Sequence, residues 1–274
     1  MRAATAGTMN KVESFYDANV EGEWNRLERH RLEYGSTCRL LDRFLPKNAR
    51  VLDVGGGPGR YSFRLAAAGH EVTLYDLSTG SIAFAREHAR TSGVELNAFV
   101  QGNVLDLLSH GLGQFDAVLC MGPLYHLLEE EERKSAIHQC VGSLAAGGVL
   151  FVSFISAFAP LMETMRNRPA EITSIKDRLL SYLSNGRMSM PEGDGGFTDA
   201  FFFRPDAIGP FMAQFPLEPL LLTAIEGLAH QSENGINALG PDVLEAALDV
   251  VERTGTDPLT WGASDHFLYV GKKK

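Results

Sequence analysis

Along the middle of the chain, apolar residues fall in short unbroken blocks, each followed by a stretch with helical spacing. "ARVLDVGG" reads as a strand and "RYSFRLAAAGH" as an amphipathic helix stopped at Gly69. "EVTLYDLS" is a second strand, and "TGSIAFAREHARTSG" a helix ended by Gly93. "LNAFVQGNVLDL" and "FDAVLCMG" supply a third and a fourth strand. "EEERKSAIHQCVGSLAAGG" is a helix with a glycine stop, and "VLFVSFIS" a fifth strand. Strands alternating with helices predict a parallel sheet covered on both faces. The apolar blocks lack polar alternation, as expected of strands buried on both sides. The pattern is α/β from about Arg50 to Ser156.

The flanks follow a different pattern. From Lys11 to Phe44, charged and aromatic residues recur at helical spacing with no proline before Pro46, which predicts one or two helices, the second near Glu28 to Leu45. After Ser156 the rhythm breaks. Ala157 to Gly196 reads as partly helical ("IKDRLLSYLSNG") and ends in the polar loop "MPEGDGGF", an insertion over the sheet. "RPDAIGPFMAQF" resumes as a helix, "LEPLLLTAIEG" as a strand, "GPDVLEAALDVVERTG" as a helix and "DHFLYVGKK" as a last strand. The expected organisation is an N-terminal helical lid over 1–45 and a core over 46–274 that includes an inserted cap at 157–200.

Composition narrows the partners. With 274 residues, 45% apolar and 22% charged, the chain has the profile of a soluble globular protein. A formal net charge of -9 argues against a nucleic-acid or anionic-membrane partner. No apolar run approaches the roughly 20 residues that cross a bilayer, and "MRAATAGTMNKVESFYD" lacks the apolar core of a secretory signal. Cys38, Cys120 and Cys140 are widely spaced and odd in number, which predicts reduced thiols and a cytoplasmic location. There is no Cys-x-x-Cys and no paired histidine spacing, so no metal site is expected.

"VLDVGGGPGRYS" places Gly55, Gly56, Gly57 and Gly59 in the turn from the first strand into its helix. Such a turn lets a ligand approach bare backbone at the carboxyl end of the strands, where the helix N-terminus adds amide donors. The dinucleotide fingerprint G-x-G-x-x-G would need a third glycine where Arg60 stands, and no Gly-Lys-Ser/Thr follows for a phosphate loop. The pattern is D-x-G-x-G-x-G, with Asp53 ahead of the turn.

This stretch resembles the first motif of class I S-adenosylmethionine-dependent methyltransferases of small-molecule type, and further motifs follow in order. "VTLYDLS" is similar to the second, "VQGNVLDL" to the third, and "FDAVLCMGPLYHL" and "LAAGGVLFVSF" to the fourth and fifth. The resemblance implies a doubly wound, mostly parallel seven-stranded sheet, Rossmann-like, with S-adenosylmethionine as cofactor. It implies Gly55, Gly57 and Gly59 beneath the methionine and ribose, with Asp53 holding the loop or the ammonium. It further implies Asp76 on the ribose hydroxyls, Asn103 near the adenine amino group, and Leu77 and Val104 on the ring. Met121 would lie near the sulfonium. A helix N-cap is the competing role for Asp76, and plain core packing competes for Leu77 and Val104.

Methyl transfer from a sulfonium needs chiefly a positioned nucleophile and excluded water. His126 and His230 follow strand ends on the binding face, and histidine's ordinary pKa of about 6.5 suits a general base. A loop-anchoring role competes for both. Tyr125 is placed to shape the acceptor pocket or cover the sulfonium. In the lid, Tyr16 is expected to close over the cofactor, and Arg26 or Arg31 to meet its carboxylate. Phe201 and Phe203 should face one way and Phe202 the other, with Phe197, Met188 and Met190 as further candidates for an acceptor pocket. The expected function is methylation of O, N or C of a small molecule. A protein or peptide acceptor, a binding module without turnover, and an NAD-dependent oxidoreductase remain as alternatives.

Overall fold

Every strand of the central sheet splits its side chains between two cores. In β1 (Arg50–Val54), Val51 joins one buried cluster while Leu52 and Val54 join the other. β4 (Phe115–Cys120) divides Ala117 and Leu119 from Val118 and Cys120, and β5 (Leu144–Ile155) divides Val149 and Phe151 from Leu150, Val152 and Phe154. That division is why these segments carry no polar alternation. The computed structural model describes residues 11–189 and 198–274.

With β2 (Glu71–Asp76), β3 (Ala98–Gln101), β8 (Leu217–Ala224) and β9 (His266–Lys273), the sheet has the order β3-β2-β1-β4-β5-β9-β8. The first five strands are parallel; β9 runs antiparallel between β5 and β8. The expected seven-stranded, mostly parallel sheet is therefore present. Strand order reverses at β1, so the glycine turn leaves the sheet at its topological switch point, where α/β sheets bind ligands. Helices α4 (Arg60–Ala67), α5 (Thr79–Ser92) and α6 (Glu130–Ser143) connect the parallel strands. The third strand is shorter than its apolar block suggested. It ends at Gln101, and Val104–His110 forms a 3₁₀ segment, because the Asn103 side chain accepts from the Leu105 N–H and starts a turn.

The N-terminal segment folds as three helices: α1 over 11–18, α2 (Val20–Arg29) and α3 (Arg31–Phe44). After β5, α7 (Ala159–Asn167) and α8 (Ile172–Asn185) lead to a small ribbon of β6 (Arg187–Met188) and β7 (Ala200–Phe201). These elements close a third apolar cluster of Ile155, Ala159, Leu179, Tyr182 and Phe202. The rings alternate as expected: Phe201 and Phe203 meet each other and the Arg133 guanidinium, while Phe202 packs on Tyr182. Phe197 and Met190 lie outside the described residues. α9 (Pro205–Met212), α10 (Glu233–Asn237) and α11 (Pro241–Thr254) complete the chain.

Candidate functional site

At the switch point a cavity of about 140 Å³ is walled by the glycine turn, the ends of β2 and β4, and α1 and α2. Gly55 and Gly57 both have positive φ. A Cβ on Gly55 would lie 2.4 Å from the Pro123 ring, so the loops after β1 and β4 approach too closely for any side chain. At Gly57 a Cβ would meet no atom within 4 Å; it would point into free space beside the cavity. One glycine is thus required by packing, and the other leaves open space at the cavity wall.

Asp76 ends β2 with its carboxylate tied across the turn. Oδ2 accepts from the Gly57 N–H at 2.7 Å and Oδ1 from the Ser78 N–H at 2.8 Å. Ser78, not Asp76, caps α5. Burial pushes the Asp76 carboxyl up to about 6, against the pull of those two amides, and nearby Asp17 adds to the rise. Asp53 is also buried, accepts from Ser62 Oγ at 2.7 Å, and is likewise pushed by burial up to about 6. Its bond to α4 makes it a brace for the turn.

Leu77, Val104, Met121, Tyr16, Tyr125 and His126 all line the cavity together with Asp53, Gly55, Gly57 and Asp76. Three expected residues do not. Gly59 lies against Phe63 at the start of α4, and Asn103 spends its side-chain oxygen on the Leu105 N–H. His230 is buried 3.1 Å from Asp265, off the direction of a hydrogen bond, and stands outside the cavity wall. β8 is the edge strand, four places from β1, so the segment after it stays at the carboxyl edge of the sheet but beside Asp265, not beside the glycine turn.

His126 is fully held. Its Nδ1 donates to the Asp199 carbonyl at 2.9 Å, which leaves Nε2 as the acceptor for the Tyr16 hydroxyl at 2.8 Å. Burial pushes the ring down to about 4, against the pull of that carbonyl, so the imidazole is neutral near pH 7. The ordinary histidine value assumed for a base does not apply. The ring instead latches α1 over the cavity. At the other end of the latch, Asp17 accepts from Ser78 Oγ and the Gly80 N–H at the start of α5.

Arg26 lines the cavity and forms a two-pronged pair with Glu33, at 2.6 and 2.9 Å. Arg31 instead reaches the Asn237 carbonyl and takes no part in the wall. No local pattern announces what lies behind Glu33. Glu33, Glu226 and His266 bring their polar atoms within 4.8 Å of one another. His266 Nδ1 lies 2.6 Å from Glu226 Oε1, while Oε2 accepts from Ser264 Oγ and the His266 N–H. Burial disfavours charge on His266, but Glu226 and Glu33 outweigh it and raise the ring to about 9. Two acids thus face two cations, Arg26 and the His266 imidazolium. The only local hint was a polar residue at the mouth of an otherwise apolar strand.

Residues 51–148 match the family model of a methyltransferase domain. Over 126 residues the chain is 40% identical to a ubiquinone biosynthesis O-methyltransferase of Xanthomonas axonopodis pv. citri, covering 46% of this chain and 49% of the relative. A protein of the same description from Xanthomonas campestris pv. campestris (strain B100) is 40% identical over 108 residues, 39% of this chain and 44% of that one. The chain spans about half the length of the curated relatives it matches. Magnesium protoporphyrin IX methyltransferase from Synechocystis PCC 6803, solved with bound SAH, superposes with a TM-score of 0.57 at 14% identity, over 97% of this chain and 100% of that one. A methyltransferase structure from Methanosarcina mazei gives 0.56 at 18% identity, over 85% and 96%. At these identities the structures speak for the fold.

Proposed function

We propose, from the premise that residues 51–148 are a class I methyltransferase domain, that the protein binds S-adenosylmethionine and methylates a small molecule. When bound, that cofactor supplies an electrophilic methyl group on a sulfonium. The single observation that carries the reading is the Asp76 carboxylate held by the Gly57 N–H across an open glycine turn. Each carboxylate oxygen accepts one backbone N–H and keeps capacity for a second donor, which suits a vicinal diol. Leu77 and Val104 offer apolar faces to a flat ring, and Arg26 offers a cation to a carboxylate. Arg60, where a dinucleotide site needs glycine, stacks on Trp24 with its guanidinium 4.9 Å from the ring centre and occupies the wall.

The chain's own part in the reaction is to hold and to seal. α1 roofs the cavity through Tyr16 and Asp17, which excludes water from the reacting groups. The latch must open to admit a cofactor, so α1 works as a lid and the elements of 157–200 as a cap. Such a roof favours an enclosed small acceptor over a protein or peptide. The relatives described as O-methyltransferases favour oxygen as the atom methylated. Among the described residues no helix is long and apolar enough to cross a membrane. Cys38, Cys120 and Cys140 are free and buried, in keeping with a reducing, cytoplasmic setting.

Calorimetric titration of cofactor-free protein with S-adenosylhomocysteine, S-adenosylmethionine and NAD tests the reading. Micromolar binding of the first two without NAD supports it, and binding of NAD alone overturns it. Binding without homocysteine-type product across an acceptor screen would point to a module that has lost turnover.

A further inference from the structure

A second cavity, of about 440 Å³, opens beneath α7 and α8, within the range of roughly 300–1,000 Å³ typical of small-molecule sites. Its wall is apolar where the cap covers it: Ile155, Ile175, Leu179, Tyr182, Met188 and Phe202. Its polar lining is Asp265 and His266 at the start of β9, with Thr164, Glu163, Arg168 and Arg178 on the side of the cap. Tyr125 links it to the first cavity, lining that space and packing on the apolar cluster that walls the second. Resting on the functional reading above, we propose that this chamber is the acceptor site, and that His266, held by Glu226, anchors an apolar acceptor through an oxyanion.

The argument is geometric. Glu226 takes the Nδ1 side of the ring at 2.6 Å and the His266 backbone N–H as well, which fixes the imidazole and leaves Nε2 as the ring nitrogen for a ligand. The His266 side chain is 23% exposed, and that exposure belongs to the cavity wall. Charges nearby set its sign. Glu226 and Glu33 face the ring, Arg26 neutralises Glu33, and Asp265, which also lines the cavity and adds to the rise, brings Oδ2 to 3.1 Å from His230 and buries Oδ1. The raised pKa noted above keeps the ring cationic near neutral pH. At the mouth, Glu163 is paired with Arg168, while Arg178 is an exposed second cation.

A cation at the end of an apolar chamber selects a ligand with an apolar body and an anionic oxygen. Two sources share that chemistry, a carboxylate and the ionised form of a phenol or enol. For the latter, the O–H bond breaks on binding, the oxygen keeps the electron pair, and the proton passes to solvent. His266 already carries its proton, so it binds the oxyanion and is not the base.

The test is binding to the full chain saturated with S-adenosylhomocysteine, using 4-phenylbenzoate, 4-phenylphenol and 4-phenylbenzylamine as probes. The expected result is that at least one oxygen probe binds about tenfold or more tighter than the amine. Titration in buffers of different ionisation enthalpy separates the sources: 4-phenylphenol releases a proton on binding and 4-phenylbenzoate does not. Ile175→Trp fills the chamber away from the charged cluster and should abolish probe binding while leaving S-adenosylhomocysteine titration unchanged. His266→Gln should bring the oxygen and amine probes within about threefold of each other. The proposal is overturned if the amine binds as tightly as the oxygen probes, if none binds, or if Ile175→Trp leaves probe binding intact. If the wild-type chain binds the probes in the expected order without S-adenosylhomocysteine but does not bind S-adenosylhomocysteine itself, the cofactor reading alone is refuted.

Discussion

The Tyr16 hydroxyl lies 2.8 Å from His126 Nε2, across 110 positions of sequence, and joins the first described helix to the loop after β4. A neutral acceptor nitrogen and a buried phenol meet there, with the tautomer set by the Asp199 carbonyl behind the ring. The contact makes His126 part of the roof, and its consequences are measurable.

Tyr16→Phe removes one buried hydrogen bond, worth about 1 kcal/mol. Amide exchange over 11–18 should quicken about fivefold, and S-adenosylhomocysteine should dissociate faster by a similar factor. Hydrogen-exchange mass spectrometry with and without ligand reads both. Unchanged exchange in this helix would mean that Asp17 alone holds the lid.

His126→Ala should leave the pH dependence of turnover between about pH 6 and 9 unaltered, because the ring, pushed down to about 4 by burial, does not titrate there. The rate itself should fall as the lid loosens. Loss of a kinetic pKa in that range on substitution would restore the histidine as a base.

Asp76→Asn should weaken S-adenosylhomocysteine about 10- to 100-fold, as a charged hydrogen-bond acceptor contributes about 1.5–3 kcal/mol. The wild type should show the same loss in graded form as pH falls through about 6, where Asp76 and Asp53 take up protons. Ligand-free stability should move oppositely from these two groups. Their folded values lie above the usual carboxylate value, so the folded state binds more protons as pH falls through 6 and gains stability. Calorimetry for affinity and thermal melts for stability separate the two trends.

Gly57→Ala and Gly93→Ala form a matched pair. Both positions have positive φ and open space around a new Cβ. Each substitution should cost about 1 kcal/mol of stability from backbone strain. Gly57→Ala alone should also weaken S-adenosylhomocysteine, by tenfold or more, because its methyl enters the cavity wall. Equal ligand affinity in the two variants would remove Gly57 from the site.

The ring of His266 makes a second pH statement. Its folded pKa, raised to about 9, exceeds the unfolded value of about 6.5. The stability it contributes is therefore complete below pH 6.5 and lost as pH rises through 9, by an amount on the order of 3 kcal/mol. The melting temperature should drop by several degrees across that window, and His266→Gln should flatten the drop. A flat wild-type profile would argue that the ring is neutral when folded.

Several of these residues are legible in the sequence alone. The unbroken apolar blocks required strands buried on both faces, and the D-x-G-x-G-x-G turn required bare backbone behind β1. Asp76 was findable because a carboxylate ending the second strand must fall beside that turn in a parallel sheet. Phe201, Phe202 and Phe203 alternated as a strand demands. Side-chain roles were less accessible. Asn103 chose the nearest backbone N–H over the cavity, and His230, carried by the edge strand β8, stands beside Asp265 and outside the first cavity.

By itself, then, the sequence determined which segments become strands, where the chain must turn without side chains, and that the turn faces a ligand. Those properties arise from spacing and backbone sterics, which are local. Tertiary structure alone decided that Tyr16 meets His126, that Glu33 on α3 and Glu226 after β8 enclose His266 at the start of β9, and that a cap cavity ends on that ring. Charge and ionisation depend on what surrounds a group in three dimensions. Burial makes one histidine neutral, while two carboxylates brought from distant elements make another cationic.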